Sequence, residues 1–162
     1  MPRINGLETE KLMSVVDSVR KNWETGKTVW KATATWEEGF KVETESRGFK
    51  LRADAPEMFV GTNTAVNPVE MVLQAYGACL AIGYAMNAAV RGIKIRELRI
   101  DVEGEIDLPG FLGLEPPADL NMDRLPGFKN VIARVQIDAD AGIRALQDLH
   151  DHVVKHSPAR SR

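Results

Sequence analysis

The sequence of 162 residues contains a single cysteine, Cys79. One cysteine cannot form a disulfide within its own chain, which excludes both a disulfide-stapled secreted scaffold and an intramolecular redox pair. Any thiol chemistry at Cys79 must therefore end on a second molecule.

The sequence also has no block of basic residues. Its 21 Lys and Arg are balanced by 23 Asp and Glu, for a net charge of −2, so the electrostatic footprint of a nucleic-acid-binding protein is absent. No uninterrupted apolar run approaches the roughly 20 residues that span a bilayer, and the first ten residues turn polar at once. These absences predict a cytoplasmic protein without a nucleic-acid or membrane partner.

Nucleotide and metal motifs are missing as well. No glycine-rich strand-to-helix turn of the dinucleotide or P-loop type occurs, and there is no G-x-S-x-G elbow. The three histidines, His150, His152 and His156, lie together near the end of the chain, where cations suit a helix C-terminus. Because no second group of ligands accompanies them, we predict no metal site and no cofactor.

Hydrophobic periodicity predicts the elements and their order. A helix is expected over residues 7–23, two or three antiparallel strands over 27–54, a loop over 55–66, a long helix over 67–92, two further strands separated by a long loop over 107–130, and a final helix to Ser157. This order predicts an α+β fold. We divide the chain into an N-terminal helical extension, residues 1–26, and one domain, residues 27–162.

The helix over residues 67–92 has strong boundary signals. Asn67 is a good N-cap, Pro68 suits the first helical position, Glu70 complements the positive helix end, and Gly92 ends the helix. Its apolar residues recur at steps of three and four, with almost no charged face; they are Met71, Val72, Ala75, Ala78, Cys79, Ile82, Met86 and Ala89. Such a helix is expected to be central, and to lie at a dimer interface.

Two interpretations of Cys79 are open from the residues alone. A lone cysteine in an apolar helix usually fills space, but a reactive thiol in a dry pocket would be placed in the same way. The reactive form needs a positive neighbour, and Arg47 or Arg52 would have to fold over the helix to provide it. Glu70 lies nine residues before Cys79, which places the two about 180° apart around the helix axis.

Four stretches, in this order, resemble the OsmC/Ohr family of thiol-dependent peroxide-handling proteins. They are N-P-V-E-M-V-L-Q-A-Y-G-A-C-L-A-I-G, A-A-V-R-G-I-K-I-R-E-L-R-I-D-V-E-G, L-P-G-F-K-N-V-I-A-R-V-Q-I-D-A-D and V-V-K-H-S-P. The resemblance covers most of the chain after about residue 27. It implies an intertwined homodimer in which antiparallel sheets surround a long central helix from each subunit.

The resemblance also implies roles for particular residues. Cys79 matches the cysteine that attacks an organic hydroperoxide, but Ser157 stands where the peroxidases have a second, resolving cysteine before proline. Their glutamate directly follows the first proline of the helix; here that residue is Val69, and the carboxylate comes one position later, as Glu70. The sequence therefore resembles the members with a P-x-E helix start and an S-P ending.

Our leading hypothesis is a one-cysteine OsmC-like protein that reduces organic hydroperoxides. In it Cys79 attacks the peroxide, Arg47 or Arg52 stabilises the thiolate, Glu70 supports the site, and an external thiol is the reductant. The expected pocket wall consists of Tyr76, Phe59 and Met71. The alternative is a non-catalytic dimer that binds a lipid-like or aromatic small molecule, with Cys79 as a packing residue.

Overall fold

A small hairpin and a helix form the start of the protein in this computed structural model, which describes residues 3–115 and 126–159. Strands β1 (Arg3–Ile4) and β2 (Leu7–Glu8) pair antiparallel across Asn5 and Gly6. Both turn residues have positive φ, 52° and 77°, as a two-residue type I′ turn requires. Helix α1 (Thr9–Lys21) follows, so the predicted helix is confirmed but begins two residues later than expected.

The side chain of Asn5 ties this hairpin to a distant part of the chain. Its Oδ1 accepts a hydrogen bond from the backbone N–H of Ile95 at 2.9 Å, and its Nδ2 donates to the carbonyl oxygens of Ile93 at 3.0 Å and Ala85 at 3.4 Å. The amide thus serves backbone groups that would otherwise lack partners. The N-terminal segment is fastened to the point where the central helix leads into the next strand.

Three antiparallel strands follow, and we call this sheet the arm: β3 (Thr33–Glu38), β4 (Lys41–Ser46) and β5 (Phe49–Ala53), in that order. The arm confirms the strands predicted over residues 27–54. All of β3 is exposed, and so is β5 apart from Ala53. The even spacing of Trp30 and Trp36 in the sequence predicts that both lie on one sheet face as core anchors. They are 76% and 68% exposed, so within one chain that prediction is wrong.

The long helix α2 (Pro68–Val90) begins and ends as the sequence predicts. The Asn67 side chain accepts from the Val69 N–H at 2.9 Å, and a Glu70 carboxylate oxygen accepts from the Asn67 N–H at 3.0 Å, which completes a capping box. At the other end Gly92 has a φ of 74°, the left-handed conformation that favours glycine.

The remaining elements pack on α2, and together with it we call them the body. They are the antiparallel strands β6 (Ile95–Ile106) and β7 (Phe128–Ala139), the short helix α3 (Leu108–Phe111) and the C-terminal helix α4 (Ile143–His156). The predicted α+β class is confirmed. Part of the predicted loop over 107–130 lies outside the described residues; of its two aromatic residues, Phe128 is half-buried and lies against Gly104, whereas Phe111 is 66% exposed.

The main cluster of buried hydrophobic residues lies in the body. It contains Leu80, Tyr84 and Ala88 of α2, Ile93 before β6, Ala139 at the end of β7, and Leu149 and Val153 of α4. Two glycines of α2 allow close approach: a Cβ on Gly77 would lie 3.2 Å from Val102, and one on Gly83 would lie 3.2 Å from Val153. The α2 face toward β6 and α4 is therefore well packed.

The opposite face of α2 is uncovered in this chain. It carries a row of residues that we call the stripe: Val72, Ala75, Cys79, Ile82 and Met86. The spacing of three and four residues is that of a helix–helix contact seam. A helix that is apolar nearly all round is expected to be buried on most sides. Val72 is 56% exposed and Ile82 69%, so a single chain does not meet this expectation.

Helix α2 is also long and apolar enough to cross a membrane by length and composition, with a mean hydropathy of 1.3. The sequence contains no unbroken apolar run of that length because Glu70, Gln74 and Asn87 interrupt it. A central helix of a folded domain has the same composition, so one such helix is weak evidence for a membrane span.

Candidate functional site

Cys79 lies at the centre of the stripe, with Val72 and Ala75 before it and Ile82 and Met86 after it. The residue is partly buried. In the part of the chain that the structure describes, no hydrogen bond or ion pair joins its sulfur to another side chain. A single chain therefore supplies an apolar setting for the thiol but no charged partner.

Glu70 does not share a pocket with Cys79 within one chain. Its carboxylate accepts the Asn67 N–H in the capping box, and it borders a groove of about 440 Å³ between α2 and β6. Nine residues of helix place it about 13 Å along the axis from Cys79 and on the opposite side. The structure keeps the two groups apart, as the sequence geometry indicated.

The two candidate arginines lie at different ends of the arm. Arg47 occupies the turn between β4 and β5 with a φ of 56°, and its guanidinium carbon lies 5.6 Å from the ring centre of Trp30 and 5.7 Å from that of Phe49. These are cation–π distances. Arg47 therefore has aromatic partners at the far tip of the arm.

Arg52 lies on β5 opposite Glu43, near the end of the arm that joins the body. It lines a cavity of about 420 Å³, whose other walls include Val42, Ala53 and Thr64. The cavity also contains carboxylate and ammonium groups, from Glu37, Glu38 and Lys41. Arg52 therefore borders a cavity at the end of the arm that joins the body.

The three predicted pocket residues lie on two elements. Tyr76 of α2 packs against the core of the body, and Met71 is partly buried in the first turns of the same helix. Phe59 ends a short 3-10 turn, Glu57–Phe59, before α2 and is 40% exposed. The wall that they are predicted to form with Cys79 stays a prediction.

Sequence reasoning missed Asp54, the best-connected carboxylate in the described part of the chain. Asp54 is 1% exposed and accepts hydrogen bonds from Ala55, Thr62 and Thr64. The Thr62 hydroxyl and the Thr64 N–H contribute most to holding the pKa of this carboxyl well below its usual range. The available signal was an aspartate at the end of a strand, followed by T-N-T eight residues later.

The histidines do not form a metal centre in the structure. Within residues 3–115 and 126–159, no three His, Cys, Asp or Glu side chains are placed to hold a metal ion. The rings of His152 and His156 stack at 4.3 Å, and Nδ1 of His156 donates to the His152 carbonyl at 2.8 Å. The buried Tyr84 hydroxyl and Nδ1 of His150 form a hydrogen bond at 2.5 Å, and burial raises the pKa of Tyr84 to about 12.

Solved structures with the same architecture are numerous. An OsmC-like protein from Mycoplasma pneumoniae is 20% identical, with a TM-score of 0.67 over 82% of this chain and 85% of the other. An organic hydroperoxide resistance protein OsmC from Legionella pneumophila is 20% identical, with a TM-score of 0.58 over 82% and 88% of the two chains. One from Elizabethkingia anophelis is 19% identical, with a TM-score of 0.56 over 82% and 85%. At these identities the likeness shows the shared fold.

No curated protein matches the chain. The sequence model of the family described as OsmC-like protein matches residues 61–161, which is more than half of the chain and includes α2, β6, β7 and α4. With the fold and the sequence pattern in agreement, the chain belongs to the OsmC-like protein family.

Proposed function

We propose that this protein is a homodimeric, thiol-dependent reductase of organic hydroperoxides, with Cys79 as the attacking thiol. The observation that carries the proposal is the position of Cys79 at the centre of an uncovered apolar stripe on the central helix of an OsmC-like fold. A second copy that covers the stripe would enclose the thiol in an apolar pocket at the interface. Organic hydroperoxides suit such a pocket better than hydrogen peroxide does.

The amount of exposed surface supports a dimer. The chain exposes 12423 Å², whereas a compact monomer of 17.9 kDa is expected to expose about 8,000 Å². The difference is several times the roughly 800 Å² that each partner buries in an interface of standard size. The uncovered apolar surface includes Val72, Ile82 and Met86 on the stripe and Trp36, Phe49 and Leu51 on the arm. These residues would be covered if the arm of one copy lay over the body of another.

The reaction would proceed in balanced steps. The Cys79 thiolate attacks the outer peroxide oxygen, the O–O bond breaks, and the alkoxide takes a proton to leave as an alcohol, so that Cys79 becomes a sulfenic acid. A first external thiol condenses with the sulfenic acid and releases water. A second external thiol then cleaves the mixed disulfide and restores Cys79. Ser157 cannot replace the first external thiol, since a hydroxyl forms no disulfide.

In the proposed dimer, Arg52 and Glu70 would act at the interface between the two copies. We propose that Arg52, which lines a cavity, rather than Arg47, which contacts two aromatic rings, lies near the Cys79 of the second copy and favours its thiolate. Glu70 would face a pocket only after it meets groups from the second copy. Tyr76, Phe59 and Met71 remain the proposed pocket wall, and we place the activity in the cytoplasm, without a membrane or nucleic-acid partner.

A separate observation, a groove between α2 and β6, favours the alternative function of a non-catalytic binding protein. The groove of about 440 Å³ between α2 and β6 combines apolar walls with the polar side chains of Glu70 and Gln74, and Cys79 does not line it. Such a groove suits a small molecule with one polar end. In this function Cys79 would pack against the second copy and remain unreactive.

Consumption of cumene hydroperoxide and of hydrogen peroxide, with dithiothreitol or dihydrolipoamide as reductant, tests the proposal. We expect the native protein to reduce cumene hydroperoxide faster than hydrogen peroxide, and Cys79→Ser to lose the activity. Ala78→Ser, which adds a hydroxyl at the exposed neighbouring position, is the matched control and should retain it.

The alkylation rate of the Cys79 thiol is the second measurement. A catalytic thiolate reacts with iodoacetamide well below pH 8.5, the ordinary range of a thiol. If the native protein is inactive toward both peroxides and Cys79 alkylates only after denaturation, the reductase proposal is wrong and the binding function replaces it.

A further inference from the structure

Asp54 is a buried carboxylate whose oxygens are fully engaged. Oδ1 accepts the N–H of Ala55 at 2.8 Å and that of Thr62 at 3.4 Å. Oδ2 accepts the Thr62 hydroxyl at 2.6 Å, the Thr64 N–H at 3.0 Å and the Thr64 hydroxyl at 2.9 Å. One side chain thus organises residues eight and ten positions further along the chain.

The loop that Asp54 organises, residues 55–66, is closed at both ends. The Asp54 N–H donates to the Val66 carbonyl at 3.2 Å, and Ala53 forms a parallel bridge with Val66. In the middle of the loop, a Cβ on Gly61 would lie 1.9 Å from the Ala55 carbonyl oxygen, a contact that no side chain can make. The loop has one tightly defined conformation.

This loop is the covalent connection from the arm to the body. Asp54 directly follows the last residue of β5, and Val66 directly precedes Asn67, the N-cap of α2. Apart from Ala53, the residues of β3 and β5 are exposed, so those strands have little other packing to fix their direction. The conformation of the loop therefore sets the direction of the arm relative to α2.

The same loop forms a wall of the cavity that Arg52 borders. Thr64 and Ala65 line this cavity opposite Glu37 and Lys41 of the arm. Thr64 is held there by two hydrogen bonds to Asp54, and Arg52 lies two residues before Asp54 on β5. Asp54 thus connects the position of the cavity wall to the position of the arginine.

We propose that Asp54 is a positioning residue: by holding Thr62 and Thr64, it fixes the cavity that contains Arg52 relative to α2, and so aligns the arginine with the thiol across the dimer. This inference rests on the proposed function for its catalytic consequence. The contacts of Asp54 with Thr62 and Thr64 depend only on residues of one chain. The hydrogen bonds keep the pKa of the Asp54 carboxyl below its usual range, so the carboxylate stays ionised and the contacts persist between pH 5 and 9.

The test compares Asp54→Asn with two double variants of the threonines. Asp54→Asn keeps the size of the side chain but replaces one acceptor by an NH₂ group that cannot accept. Thr62→Val with Thr64→Val removes both hydroxyl donors at almost constant shape, and Thr62→Ser with Thr64→Ser retains them as the conservative rescue. The dimer content and melting temperature of each variant are measured first.

We expect Asp54→Asn and the valine pair to lower kcat for cumene hydroperoxide by roughly ten- to a hundred-fold, with a smaller change in KM. The reason is that a misplacement of Arg52 by about 1 Å can reduce the rate by about a hundred-fold. The iodoacetamide reaction of Cys79 should shift to higher pH in the same variants. The serine pair should behave like the native protein. Equal kcat values and equal alkylation profiles in all four proteins would overturn the inference.

Two further results keep the two proposals distinguishable. If the native protein reduces no hydroperoxide, the proposed function fails, and the alkylation profile alone decides: a shift in Asp54→Asn supports the positioning role, and identical profiles overturn it. If Asp54→Asn does not fold, Thr64→Val alone is compared with Thr64→Ser by the same two measurements. A kcat and a profile that do not differ between these two would also overturn the inference.

Discussion

The arm and the body are built from the same kind of antiparallel strands, yet in the described residues the main buried hydrophobic cluster lies in the body. In the body Leu149 is fully buried and Val153 is 3% exposed, whereas Phe49 and Leu51 of the arm are 71% and 61% exposed. Apolar side chains stabilise a fold by leaving water. Contacts within its own chain therefore stabilise the arm only a little. Its apolar residues would stabilise it more if a second surface covered them.

The charges of the two regions agree with this difference. The outward face of β6 and β7 carries ion pairs between Arg96 and Asp138 and between Arg134 and Glu103, which suit a surface that stays in water. The stripe of α2 has no charged residue between Val72 and Met86. The β6–β7 face of the body therefore has the charged residues of a solvent-exposed surface, whereas the stripe of α2 does not.

A charge on the stripe should have the largest effect. In Ile82→Asp a carboxylate replaces a side chain that is 69% exposed in one chain but buried in the proposed dimer, where an unpaired charge costs several kcal/mol. We expect the dimer to be lost in sedimentation experiments. Gln147→Glu, on the exposed side of α4, is the control and should remain dimeric; a dimeric Ile82→Asp would show that the stripe is not the interface.

Truncation of one leucine in each region compares the two regions directly. Leu149→Ala should lower the free energy of unfolding by about 2–5 kcal/mol, since it empties a filled core site. Leu51→Ala should cost about 1–3 kcal/mol if the arm is covered in the dimer, but less than about 0.5 kcal/mol if Leu51 stays in water. Denaturant unfolding at constant protein concentration measures both values, and a negligible Leu51→Ala effect would contradict the covered arm.

Removal of the Asn5 side chain tests the attachment of the N-terminal hairpin to the body. Asn5→Ala leaves the Ile95 N–H and the Ile93 carbonyl without their partner, which should cost about 1–3 kcal/mol. We expect faster hydrogen exchange in β1, in β2 and at the start of β6, with unchanged exchange in the arm. Equal acceleration in β3–β5 would show that the two regions unfold as one unit.

The smallest expected effect is that of Tyr84→Phe, again in the body. The lost hydrogen bond to His150 should cost about 1 kcal/mol at neutral pH. Because burial raises the pKa of Tyr84 to about 12, its contribution to stability is present below pH 10, the range of an unfolded tyrosine, and is lost as the pH rises toward 12.

Urea midpoints between pH 8 and 12 measure this contribution. The native protein should lose stability over the last two pH units, and the difference from Tyr84→Phe should shrink there. Parallel pH profiles for the two proteins would argue against the buried phenol as the cause.

The sequence predicts best what neighbouring residues decide. The N-cap, capping carboxylate and terminal glycine of α2 were all identified, because Asn67, Glu70 and Gly92 act within a few residues of each helix end. The two-residue turns at Asn5-Gly6 and Arg47-Gly48 were missed, although the first has the usual Asn-Gly signal. The hairpin it forms is too short to show a strand periodicity.

What the sequence could not show depends on contacts between distant residues. The alternating pattern placed Trp36 on a sheet face but contained no information about what covers that face. The role of Asp54 depends on a loop that returns eight and ten residues later. The resemblance to the family points to Cys79, and our proposal of Arg52 over Arg47 rests on the observation that Arg47 contacts Trp30 and Phe49.

The hydrogen bonds of Asn5 have a consequence for the order of events during synthesis. Asn5 leaves the ribosome before two of its partners, which lie 88 and 90 residues further along the chain. The hairpin of β1 and β2 can dock only after α2 and the start of β6 have emerged, and closing this long loop is a slow step. During translation the hairpin is therefore made before its partners but reaches its final position only after them.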